Sequence, residues 1–172
     1  MTQEELGIIL GASKQTISNW ETGYTPIPLN KLVRFANLYD YSLDFLVGFT
    51  RKNIKYNKSI KLDKKLIGKN LKLLREKLNL TQQELSDKCD LYQSTYNHYE
   101  NGYSLIKIMP AYSICKTYNV SMDWLVGRTN NKKIVWIINL NHTIFIMSDD
   151  GMTANFGWVP PIFSCHCCHY FL

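Results

Sequence analysis

The sequence contains no run of about eighteen or more apolar residues. Its longest candidate, Ile134 to Met147, is interrupted by Asn-Leu-Asn-His, so nothing has the form of a bilayer-spanning helix. A secretory leader is also missing: the chain opens Met-Thr-Gln-Glu-Glu, acidic where a signal peptide is basic, and no apolar stretch follows. A cytoplasmic location with no membrane partner is the expectation. Cysteine is scarce, five in 172 residues, and without an oxidising compartment Cys89, Cys115, Cys165, Cys167 and Cys168 read as thiols rather than as a disulfide framework. No Ser/His/Asp set, glycine-rich phosphate loop or pair of metal-binding carboxylates stands at a recognisable spacing. An enzyme is therefore not expected, nor a cofactor. From Ile134 to Leu172 there is no Lys or Arg at all, and Asp149 and Asp150 are the only charges, which marks the end of the chain as a segment of another kind.

The 45% hydrophobic and 20% charged residues that are present are enough to build a core and exclude a disordered chain. Charge is unevenly spread. Between Arg51 and Asn79 eleven Lys or Arg face two acids, Asp63 and Glu76, so this stretch carries +9 of a net +6 and the remainder carries −3. Such a run is either a solvated linker or a stripe that follows phosphates.

Comparison of the chain with itself decides its organisation. Residues 2–50 align with 81–129 at a constant offset of 79, without a gap, and sixteen positions are identical, among them Gln3/Gln82, Glu21/Glu100, Ser42/Ser121, Asp44/Asp123 and Leu46-Val47-Gly48/Leu125-Val126-Gly127. A period of 79 is too long for a solenoid, so each copy is expected to be a small domain. The expected divisions are a first domain over 1–50, a basic linker over 51–65, a second domain over 66–130 and a hydrophobic tail over 131–172.

Each copy reads as all-helical. Thr81 with Glu84 offers a capped helix start; Gly11 and Asp90 both tolerate the left-handed backbone of a tight turn. The next helix runs from Ser13 to Trp20 and from Tyr92 to Tyr99, stopped by Gly23 and Gly102. Pro28 opens a further helix, and Ser42 and Ser121 cap a last short one. Before the second copy Leu66, Ile67, Leu71, Leu74 and Leu78 recur at helical spacing and predict a leading helix. Met1 aligns with Leu80, so the first copy lacks that helix and is expected to be truncated at its N-terminus. Tyrosines 92, 96, 99, 103, 112 and 118 are assigned to the core rather than to base stacking.

Thr-Gln-x-Glu-Leu, a turn, x-x-Thr-x-x-x-x-Glu-x-Gly, then Ser-x-Asp-x-Leu-Val-Gly: in both copies this pattern resembles the lambda-repressor-like (Cro/XRE) helix-turn-helix family, over about three quarters of the chain. The resemblance implies sequence-specific binding of double-stranded DNA, a transcriptional regulator of repressor type, and a third helix that enters the major groove. Helical geometry supports this independently. Ile17 and Trp20, or Tyr96 and Tyr99, share one face that must be core, and the opposite face presents Lys14, Gln15, Ser18 and Asn19, or Gln93, Ser94, Asn97 and His98. These side chains match base-edge donors and acceptors and are the candidate base readers. Gln3, Ser13, Thr16, Gln82 and Thr95 at the helix starts, with Lys55, Lys58, Lys61 and Lys64 of the basic stretch, are the candidate phosphate contacts. A local hydrogen bond is the competing role for the threonines. Glu21 and Glu100 would repel phosphates and are assigned to helix-end bonding or an internal ion pair.

The tail offers β-branched and aromatic runs around Asn141-His142, consistent with a small hairpin, and an apolar surface for a homodimer or a protein partner. Its ending, Cys165-His-Cys-Cys-His169, has one C-x2-C spacing but crowds its ligands into one segment, so no metal site is assigned. The rival function is a protein-interaction module, such as an antitoxin whose tail contacts its partner. Because the reading faces differ, one chain engaging both domains should prefer two unlike half-sites.

Overall fold

The structure, a computed structural model, describes residues 1–132. The expected hairpin, the Cys/His ending and the partner surface of the tail lie outside the described residues. The described residues form nine helices and no strand. In repeat one these are α1 (Gln3–Leu10), α2 (Lys14–Glu21), α3 (Leu29–Tyr39) and α4 (Leu43–Leu46). In repeat two a leading helix, α5 (Lys64–Lys77), precedes α6 (Gln82–Lys88), α7 (Gln93–Glu100), α8 (Ile108–Thr117) and α9 (Met122–Leu125).

Local chemistry sets the boundaries. Thr2 and Thr81 cap α1 and α6, and in each case the glutamate three residues on, Glu5 or Glu84, returns a bond to the capping backbone. The turn that follows bends through Gly11 at φ 64° and Asp90 at φ 56°, the left-handed conformation both residue types tolerate. Ser42 and Ser121 close the N-termini of the short α4 and α9 through bonds of 3.1 Å to the N–H groups of Phe45 and Trp124.

Helix α5 begins at Lys64, inside the stretch expected to be linker, because Asp63 caps it. It buries Ile67, Leu71 and Leu74, but Leu66 and Leu78 at its ends stay exposed, so only the three central apolar residues close the core. Gly68 lets the helix lie directly on the end of α7, since a Cβ there would strike the carbonyl oxygens of Tyr99 and Glu100. Repeat one has no such helix among the described residues. It closes a smaller core of Leu6, Leu10, Ile17 and Phe35 with aromatic rings: Tyr41 stacks on Phe35 at 6.1 Å and on Phe45 at 5.6 Å. Repeat two has Ile114 and Val120 where Phe35 and Tyr41 stand. Of the tyrosines assigned to the core, Tyr96 and Tyr99 are buried, but Tyr92 and Tyr103 are 85% and 68% exposed. Tyr92 occupies the N-cap of α7 and Tyr103 follows Gly102 in the loop, so the helical spacing that suggested burial does not extend to them.

The two repeats are not beads on a string. One hydrophobic core runs from Leu29, Leu32, Val33, Leu43 and Phe49 of repeat one through Ile67, Leu71, Ile114, Met122 and Leu125 of repeat two. Helix α4 meets α9 across it, and the contact is reciprocal. The Asp44 carboxylate accepts from the N–H of Met122 at 2.6 Å, and the Asp123 carboxylate accepts from the N–H of Asp44 at 3.0 Å. Each aspartate therefore caps the first turn of the helix belonging to the other repeat, where free N–H groups and the positive helix end favour a carboxylate. The intervening segment folds back against α3: the Asn37 side chain bonds the backbone N–H and C=O of Ile60, and Asn53 bonds Ser42 and Asp40.

Burial raises both carboxyls, Asp123 to about 6, because Asp44 stands beside it and the Arg128 guanidinium, at 3.7 Å from Asp123 Oδ1, is too distant to bond it. Among the described residues Oδ1 of Asp123 has no hydrogen-bond partner. A carboxyl whose folded pKa lies above its unfolded value of about 3.9 binds its proton more tightly in the folded state, so its contribution is full below pH ~4 and is lost as pH rises through about 6. Asp123→Asn should remove this dependence: the variant's thermal midpoint, measured relative to wild type at each pH from 4.5 to 8, should rise as pH rises. A constant difference across that range would contradict the assignment.

Candidate nucleic-acid interface

Helix α2 starts from the Ser13 hydroxyl, which accepts from the Thr16 N–H at 3.2 Å and pairs with the Thr16 hydroxyl at 2.8 Å. The competing local role for Thr16 is thus realised within the helix start. Ile17 is buried and Trp20 half-buried on one side of α2, while Lys14 and Gln15 are exposed and Ser18 and Asn19 partly so. Lys14 reaches Glu4 at 3.0 Å, but both side chains are more than 60% exposed, and such a pair is worth at most about 1 kcal/mol, so it yields readily to a better acceptor. Gln15 donates to Asn19 Oδ1 at 3.1 Å, which holds two candidate readers in one plane one turn apart.

Helix α7 is the counterpart, with Tyr96 and Tyr99 buried and Gln93, Ser94 and His98 exposed. His98 packs edge-on against Tyr103 at 5.9 Å. Asn97 accepts from Asn101 Nδ2 at 2.6 Å through its side-chain oxygen, leaving its amide N–H groups as donors. The side of each helix opposite its buried residues thus carries the candidate readers, with Ser18, Asn19 and Asn97 partly covered, and the two helices differ at all of these positions.

The repeated glutamines and glutamates turn out to be partners. Gln3 donates to Glu21 at 2.6 Å and Gln82 donates to Glu100 at 3.2 Å. In repeat two the chain of bonds extends in both directions. Gln93 donates to the Gln82 side-chain oxygen at 3.2 Å, and Glu100 receives a two-pronged bond from Arg75 of α5, both distances 2.8 Å. Burial opposes ionisation of Glu100, but the bonds from Arg75, Gln82 and Tyr96 outweigh it and hold the carboxyl below its usual range. The orientation of Gln93 on the reading face is thereby tied through Gln82 and Glu100 to the leading helix. Gln3 and Gln82 each keep a second amide N–H for another acceptor.

The basic stretch divides. Lys55 and Lys61 are exposed. Lys58 is exposed but reaches the Gly127 carbonyl at 3.5 Å, and Lys64 the Tyr103 carbonyl at 3.2 Å. Thr95 is half-buried on α7. Two further exposed rings lie beside the candidate faces, Tyr24, which the sequence reading does not single out, and Tyr103, which it assigns to the core. Tyr24 and Tyr103 occupy the same position in the loop after α2 and α7, are identical at the offset of 79, and are 81% and 68% exposed. Their identity at the offset of 79 is the available sequence signal.

A helix-turn-helix family model of the Cro/XRE type matches residues 1–46 and 71–125. The chain belongs to that family of DNA-binding domains and carries it twice. Among curated proteins it is similar to an uncharacterized HTH-type transcriptional regulator, YobD, of Bacillus subtilis (36% identity over 32% of this chain and 56% of the relative). It is also similar to the antitoxin PezA of Streptococcus pneumoniae (33%, over 50% and 54%) and to the HTH-type transcriptional regulator ImmR of Bacillus subtilis (32%, over 45% and 61%). The chain thus spans between 54% and 61% of the length of these relatives. No helix among the described residues is long and apolar enough to cross a membrane.

The bond network makes the two glutamates unequal. Arg75→Met should leave the Glu100 carboxylate, with a side chain 4% exposed, without its guanidinium partner and cost about 3 to 5 kcal/mol. Glu21→Gln, where the partner is neutral Gln3, should cost under about 1 kcal/mol. Denaturant titration of both variants checks the difference; equal losses would contradict the network.

Proposed function

We propose that the protein is a transcriptional regulator of repressor type that reads one asymmetric operator with two unlike helices from a single chain. The observation that carries this is the reciprocal α4/α9 contact. It holds the two repeats against each other, so that one chain carries both α2 and α7 on a joined pair of domains, as a dimer of single-domain proteins carries its two reading helices. Lys14, Gln15, Ser18 and Asn19 read one half-site, and Gln93, Ser94, Asn97 and His98 read the other. Lysine suits guanine O6 and N7, and glutamine or asparagine suits adenine N6 and N7. Gln3, Ser13, Thr16, Gln82 and Thr95 lie at the starts of the helices that straddle the backbone, where phosphate is favoured. Tyr24 and Tyr103 extend that contact, and Lys55, Lys58, Lys61 and Lys64 add charge without sequence preference. Placement in the cytoplasm goes with this reading.

The relatives support regulation by name, and one of them is an antitoxin. A role as an antitoxin bound to a protein partner is the second reading, favoured by that similarity alone.

Selection of bound DNA from a random pool tests the proposal. Wild type should return two unlike half-sites. Replacing Lys14, Gln15 and Asn19 by Ala should erase preference in one half only, and replacing Gln93, Ser94 and His98 should erase it in the other, each bidentate contact being worth roughly 1 to 3 kcal/mol. A palindromic site, or loss in both halves from either variant, would overturn it. Exchanging Lys55 and Lys61 for Gln should weaken binding to all sequences alike, and the log–log salt slope should fall by roughly 0.9 for each phosphate that is no longer neutralised.

A further inference from the structure

The reciprocal carboxylates cannot by themselves choose a partner, because Asp44 and Asp123 are the same residue in the same place and any two repeats could exchange them. Immediately beyond them the repeats diverge. Between Leu46-Val47-Gly48 and Thr50, repeat one has Phe49; between Leu125-Val126-Gly127 and Thr129, repeat two has Arg128. Both residues are 4% exposed, and both side chains reach the other repeat. Phe49 stacks on Tyr112 of α8, ring centres 4.9 Å apart, and Lys116 sits over the same Tyr112 ring at 5.7 Å. Arg128 enters a cage of acceptors at the end of α3. Its guanidinium donates to the carbonyls of Tyr41 at 2.6 Å and Ala36 at 3.1 Å, to the Asn37 side-chain oxygen at 3.3 Å and, through Nε, to the Lys58 carbonyl at 3.2 Å.

The receiving positions diverge in step. Tyr112 of repeat two aligns with Val33 of repeat one, and Lys116 aligns with Asn37. Two copies of repeat two facing each other would bring each Arg128 against Lys116, a like charge where Asn37 offers an oxygen. Two copies of repeat one would place Phe49 against Val33 and Asn37, without the ring stack and with the Ala36 and Tyr41 carbonyls covered by a group that cannot donate.

We propose that positions 49/128 and 37/116 form a pairing code that makes the α4/α9 face accept only a repeat of the opposite kind, so that repeat one pairs with repeat two and the face does not serve a like-with-like dimer with a second copy. The code does not depend on what α2 and α7 bind, so it stands or falls separately from the operator reading.

Rescue tests it in the full chain. Phe49→Arg puts a guanidinium opposite Lys116 and should lower the thermal midpoint by about 5 °C or more and enlarge the radius of gyration in X-ray scattering. Lys116→Asn alone should change little. Combined, the two give repeat two the asparagine that repeat one presents to Arg128, and should recover at least half of the drop in midpoint and the compact radius. Phe49→Ala should also lower the midpoint, and Lys116→Asn should not restore it, because no charge is then opposed. An unchanged midpoint in Phe49→Arg, no recovery in the double variant, or equal recovery of Phe49→Arg and Phe49→Ala would each overturn the proposal.

Discussion

Everything in this molecule turns on two aspartates that cap each other's helices. A four-residue helix such as α4 or α9 is too short to stand alone, since its nucleation cost is spread over almost no propagated bonds. Ser42 and Ser121 supply one cap from within each repeat, and Asp123 and Asp44 supply acceptors from across the interface. Each short helix is therefore finished only in the presence of the other repeat. The cost is two carboxyls in a place that resists their ionisation, and the surrounding core of Leu43, Val47, Met122 and Leu125 offsets it by apolar burial.

Around that contact the halves reach stability by different means. Repeat two has a leading helix, held by Ile67, Leu71 and Leu74 and locked by the Arg75–Glu100 pair. Repeat one works with rings, Phe35, Tyr41 and Phe45, and with Lys31, whose ammonium closes the end of α1 on the Leu10 and Gly11 carbonyls at 2.6 and 3.1 Å. Leu29, Leu32, Val33 and Ala36 of α3 and Leu43 of α4 are buried in the shared core, so repeat one leans on repeat two for burial that its own helices do not supply.

Much of this was legible beforehand, for identifiable reasons. The offset of 79, the caps at Thr2, Thr81, Ser42 and Ser121, and the left-handed turns at Gly11 and Asp90 are encoded in residue types with narrow local preferences. The core faces of α2 and α7 followed from periodicity, Ile17, Tyr96 and Tyr99 being buried. What could not be read was anything that depends on one repeat meeting the other. Asp44 and Asp123 looked like a shared family feature, and only proximity shows that they serve each other. Arg128 gave a single hint, a lone cation at the one non-identical position in an otherwise repeated stretch. The stretch over 51–65 reads as a basic linker because its charges dominate, whereas bonds of Asn37 and Asn53 fold part of it against α3. Helical spacing points Tyr92 and Tyr103 inward, but both stand beyond the ends of α7, where that spacing no longer sets the face, and both are exposed.

The central claim is that one chain presents two fixed and unlike reading helices. The mass of the complex on a selected operator tests it most directly. With a duplex long enough for both half-sites, native mass spectrometry or sedimentation at DNA saturation should find one chain per duplex, and scrambling either half-site should weaken binding without changing that ratio. Two chains per duplex, bound cooperatively to a repeated half-site, would contradict the account.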